Sequence, residues 1–128
     1  MGATTKLKQA VAATADIAAS SGNVAAAVAA ATLAGVAGKT TYITGFVLTG
    51  AGATAASVVL LAVTGTSGGT MTFAVAVPAG VTAALAPLVV VFSKPIPASA
   101  VNTAIVVSCP SLGAGNTNAA VVATGFQL

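Results

Sequence analysis

Histidine, glutamate, arginine and tryptophan are absent from this 128-residue chain. Their absence removes the commonest general base, the carboxylate pairs of acid/base catalysis and most constellations that hold a metal ion. The one acid, Asp16, reads as a solvated charge or a helix cap. Ser93 beside Lys94 superficially suggests a Ser/Lys nucleophile, but neighbours in a strand point to opposite faces, which is the wrong geometry for the pair. The sequence therefore argues against an enzyme and calls for no cofactor and no metal.

Charge is scarce too. Charged residues make up 4% of the chain, where ordinary domains hold about 25%. They are Lys6, Lys8, Lys39, Lys94 and Asp16, a net charge of +3. Nucleic-acid binders carry dense basic patches or aromatic platforms. Scattered lysines and 4% aromatics argue against direct nucleic-acid contact. A single cysteine, Cys109, leaves no intrachain disulfide, which fits folding in a reducing cytoplasm. Beside Pro110 at the end of an apolar run, it reads as a buried small hydrophobe.

Long hydrophobic runs are missing as well. No charge occurs between Lys39 and Lys94, yet Gly, Pro and Thr cut that span into runs of about eight to ten residues, far short of the roughly 20 a spanning helix needs. Four Phe and one Tyr do not make the aromatic girdles of a membrane barrel. Asp16 interrupts the alanine-rich run that follows Lys8, so no export signal is expected.

What the chain does have is apolar content, 57% of its residues, much of it alanine. A lone copy would expose large apolar patches, and such patches mark association surfaces. The expectation is a stable oligomer, a large partner, or both.

Along the chain, residues 1–22 read as an N-terminal arm, with a short helix over 11–19 as the other option, closed by the turn Ser20-Ser21-Gly22-Asn23. Residues 23–128 read as one all-β domain. Strands are expected at 24–33, 40–49, 56–64, 70–77, 88–92, 103–109 and 119–126. In the second, Tyr42, Phe46 and Leu48 share one parity and Ile43 and Val47 the other, the pattern of a strand covered on both sides. The strands at 56–64 and 88–92 are likewise apolar on both parities. Met71, Phe73, Val75 and Val77 alternate cleanly with small residues. Pro95-Ile96-Pro97 is expected to stop the strand before it. Short strands separated by turn signals describe a sandwich or barrel.

Two short repeats recur: Gly50-Ala51-Gly52-Ala53-Thr54 resembles Gly113-Ala114-Gly115-Asn116-Thr117, and Thr44-Gly45-Phe46 returns as Thr124-Gly125-Phe126. Phosphate-loop look-alikes fail. Gly38-Lys39-Thr40 would need a glycine where Leu33 stands, and Gly50-x-Gly52-x-x-Ala55 has no downstream acid for a ribose.

From Gly38 onward the chain resembles small β-sandwich proteins of tailed-bacteriophage virions, the capsid decoration (cement) proteins among them. The resemblance is carried by Gly38-Lys39-Thr40-Thr41-Tyr42-Ile43-Thr44-Gly45-Phe46, Gly52-Ala53-Thr54-Ala55-Ala56-Ser57, Pro95-Ile96-Pro97-Ala98-Ser99, Asn102-Thr103-Ala104 and Gly113-Ala114-Gly115-Asn116-Thr117-Asn118. It implies a single jelly-roll-like β-sandwich of about seven to eight antiparallel strands with an N-terminal arm, assembling as a homotrimer on the outside of a capsid. The implied partner is the major capsid protein, and the implied location is the virion, after synthesis in the host cytoplasm. Lys6, Leu7 and Lys8 of the arm are the residues expected to dock on the shell. Tail, spike and baseplate domains share this style and form the alternative within the virion. A self-assembling, non-viral surface fibre subunit is the alternative of another class.

Overall fold

The computed structural model describes residues 16–128, so Lys6, Leu7 and Lys8 lie outside the described residues. Eight strands are present among the described residues: β1 (Ile17–Ser20), β2 (Ala29–Leu33), β3 (Thr41–Ala51), β4 (Ser57–Thr64), β5 (Met71–Val77), β6 (Leu88–Pro97), β7 (Ile105–Cys109) and β8 (Asn118–Gln127). All neighbours are antiparallel, in two sheets of four ordered β1-β8-β3-β6 and β2-β7-β4-β5. The two sheets enclose one core. The described residues are all-β, as their turn-punctuated apolar runs lead one to expect.

The core is built from the inward parity of each strand. Ile43, Phe46, Leu48, Val121 and Ala123 of the first sheet face Ala29, Ala31, Leu33, Leu61, Val63, Ile105, Val107 and Cys109 of the second. Alanines are concentrated on β2 and β8, and these two strands approach closely across the sandwich. At the opposite side β5 and β6 barely meet. There aromatic rings line the gap without closing it, with Phe46 edge-on to Phe73 at 5.3 Å and tilted against Phe92 at 6.3 Å between centroids, and Phe73 and Phe92 half-buried. Side-chain size therefore sets the taper of the molecule: methyl groups where the sheets converge, rings where they part.

Four expectations from the sequence are corrected. β3 is not covered on both sides. Its register shifts between Ile43 and Gly45 against both neighbours: against β8 Thr44 is an extra, bulged residue, against β6 the four residues 92–95 lie opposite it unpaired, and the inward parity of β3 changes there. Ile43, Phe46 and Leu48 are thereby all buried, while Tyr42 and Val47 sit outward and half-buried. β4 and β6 are also covered on one side alone, and their outward valines and leucine face solvent. β6 does not stop before Pro95 but runs through it to Pro97. Its ladder with β3 is interrupted between Val91 and Ile96, and Pro95 falls in that unpaired stretch, where a missing N–H breaks no ladder bond. Finally, Ile17–Ser20, inside the stretch read as an arm, is strand β1, paired with β8 from Ile17↔Gly125 to Ser20↔Val122.

Candidate interaction surfaces

No pocket opens among the described residues, and no group of three or more His, Cys, Asp or Glu side chains gathers there. No helix of the described residues is long and apolar enough to cross a membrane. What the fold offers instead is surface: two loop-bearing ends, two outer sheet faces and the strand edges.

One end gathers the connections β1–β2, β3–β4, β5–β6 and β7–β8. Asn116, buried in the last of these, ties three of them. Its Nδ2 donates to the carbonyls of Ala51 at 2.7 Å and Asn118 at 2.8 Å, and its Oδ1 accepts from the Ala26 amide at 3.3 Å. Thr54 adds a backbone bond and a hydroxyl bond to the Ala114 carbonyl, at 2.9 and 3.0 Å. The amide of Gly80 reaches the carbonyl of Ala53 at 2.8 Å, binding in the fourth connection. The two Gly-Ala-Gly repeats thus lie at the same end and bond to each other. Their polar groups are spent on holding the loops, which makes this end a structural clasp.

The opposite end carries the connections β2–β3, β4–β5 and β6–β7 with the C-terminal residue. Thr40 and Leu128 exchange backbone bonds at 2.7 and 3.0 Å, and the Asn102 amide donates to the Lys39 carbonyl at 2.9 Å. Val36, Val101 and Leu128 are exposed on these segments, beside the exposed Lys39. Lys39 follows a Gly38 at φ +75° and leads into β3, a turn with no phosphate-loop geometry.

The outer face of the β1-β8-β3-β6 sheet is the larger candidate. Near one end Tyr42 and Phe126, opposite each other in register, stack with ring centroids 5.0 Å apart and planes 13° off parallel. Next to them the hydroxyls of Thr44 and Thr124 share a hydrogen bond at 3.1 Å. The row Val89↔Val47↔Val122 follows. Val89 is 61% exposed, its neighbour Val91 80% and Val122 39%. On the other sheet's outer face Val58 is 69% and Leu60 57% exposed, with Ala74 and Ala76 exposed across the ladder. The charged residues described, Asp16, Lys39 and Lys94, are exposed, and none of them stands in these rows.

Ser93 and Lys94 are both exposed on β6. Cys109 is fully buried, opposite Ala29, and burial pushes its thiol pKa up. Sequence reasoning found Cys109 but missed the Tyr42–Phe126 stack and the Asn116 hub. The repeated Thr-Gly-Phe was the available signal for the first, because its two copies run side by side on β3 and β8. A scan against protein-family models finds no match for the chain, and a search of curated proteins finds none.

Proposed function

We propose that this chain is a structural protein of a tailed-phage virion, located on the outside of the capsid, where it stabilises the shell by bridging neighbouring capsomers of the major capsid protein. The observation that carries the reading is the pair of outer sheet faces, apolar and uncharged in their central rows, with Val89, Val91, Val58 and Leu60 open to solvent. Fully burying one such side chain favours association by about 1.5–3 kcal/mol, so a few per copy, multiplied by several copies on one shell, hold a lattice together.

The fold supports the same reading at a finer level. Strands pair as β1 with β8, β2 with β7, β3 with β6 and β4 with β5, the arrangement of a long hairpin rolled into two sheets. Such a roll is the basis of our jelly-roll assignment, an architecture common among viral capsid domains. The resemblance further suggests a trimer and a docking role for the arm residues Lys6, Leu7 and Lys8, whose charge suits an acidic shell. Copy number is the one point at which resemblance and strand edges diverge.

Sedimentation of the purified chain with expanded, undecorated phage heads tests the reading. Saturable binding is expected, weakened about tenfold or more by Val91→Lys together with Val89→Lys, since each lysine would have to be desolvated in the contact. Deleting residues 1–15 tests the arm separately. A folded chain that leaves the heads bare at every concentration overturns the proposal.

A further inference from the structure

The four outer strands of the two sheets are not equally protected. A free edge presents unpaired N–H and C=O groups that template another strand, and proteins guard such edges with short strands, proline or charge. β1 has four residues and β2 five, and these two edges lie against each other on the closed side of the sandwich. β6 carries Lys94, Pro95 and Pro97. β5, Met71–Val77, has seven residues, no proline, no charge and no register shift against β4. None of the turn and loop backbone bonds and none of the isolated bridges reaches residues 71–77. Beside it the sandwich is open, with Met71, Phe73, Leu88, Val90 and Phe92 half-buried in the gap.

We propose that the β5 edge is a self-association site, at which a second copy of this chain pairs antiparallel about a two-fold axis through Ala74. The strand is complementary to itself in that register. Ala74 meets Ala74, Thr72 meets Ala76 on the outer face, and Phe73 meets Val75 and Met71 meets Val77 on the core face. Every residue keeps its own side of the sheet, and the aromatic–β-branched pair is a favourable cross-strand combination. No like charges oppose each other. The two sheets become one, and the half-buried side chains at the open side are covered by their copies. Seven residues span about 23 Å, and a two-layer sandwich is about 20–25 Å thick, so the contact buries about 500 Å² per copy, or about 1,000 Å² in all, the size at which specific contacts begin. A two-fold contact of this kind gives pairs of chains, and it does not depend on the virion reading.

The test is sedimentation velocity of the full chain over a wide concentration range. The wild type is expected to form a two-copy species. Ala74→Lys, whose side chain lies on the exposed face, is expected to weaken that species about tenfold or more by placing two lysines across the axis. Ala74→Glu is expected to weaken it similarly, and an equal mixture of the two variants to restore pairing. Restoration is an outcome that a folding defect cannot mimic. Thr32→Lys, exposed on the far strand of the same sheet, should leave pairing intact. Hydrogen exchange on the wild type gives an independent reading, with alternate amides of 71–77 gaining protection as concentration rises. A chain monomeric throughout, a trimer or polymer indifferent to Ala74→Lys, or unchanged protection at 71–77 would overturn the proposal.

Discussion

Gly125 lies where the bulge of β3 presses on β8, and a Cβ added there would collide with the Tyr42 carbonyl oxygen, a backbone atom that cannot swing aside. Gly125→Ala is expected to cost about 1–3 kcal/mol in urea denaturation, the range of an overpacked site. Gly68 is the contrast: nothing lies within 4 Å of its added Cβ, so Gly68→Ala is expected to stay within about 0.5 kcal/mol of the parent. Cys109 supports a prediction of another kind. Burial favours its neutral thiol, so the folded state holds the proton to higher pH than the unfolded chain does. Stability is therefore unaffected by this group below the ordinary thiol pKa of about 8.5 and falls as pH rises through and above it. Cys109→Ala should flatten the stability profile between about pH 8 and 9.5. A thiol reagent should label the wild type at the rate of global unfolding.

At the scale of elements, Asn116 shows how a loop end is made rigid. Asn116→Ala removes three hydrogen bonds and leaves the carbonyls of Ala51 and Asn118 without this partner, an expected loss of about 2–3 kcal/mol with faster exchange confined to the four connections at that end. Asn116→Asp should be worse than alanine, because a carboxylate oxygen would replace the donor facing two carbonyl oxygens. These elements also show what a reader of the sequence could and could not see. The alternation of Met71, Phe73, Val75 and Val77 is regular, and β5 lies where it is expected. Tyr42 to Leu48 misled because Thr44 is an extra residue, and a one-residue bulge inverts parity without any mark in composition. Val58, Leu60, Val89 and Val91 misled because solvent-facing valine and leucine erase the polar half of the alternation. β1 was hidden by its size: four small residues carry no period, and only pairing with β8 makes them a strand. The candidate surfaces were legible as an excess of apolar residues, but their positions needed the register.

At the scale of the whole molecule, what the fold offers a partner is surface. The sandwich holds its own core, satisfies its buried side-chain polar atoms among the described residues, and still leaves uncharged aliphatic faces toward solvent. A free chain with such faces is expected to associate more strongly as sulfate is added and to respond little to sodium chloride, because the contacts are apolar and the net charge is +3. Light scattering across the two salts checks this. The most direct measurement for the account is a cryo-electron microscopy map of undecorated phage heads saturated with the purified chain. It is expected to show added density outside the shell, between capsomers, with the outer face bearing Val89 and Val91 buried in the contact. A map of the saturated heads identical to that of the bare shell would contradict the account.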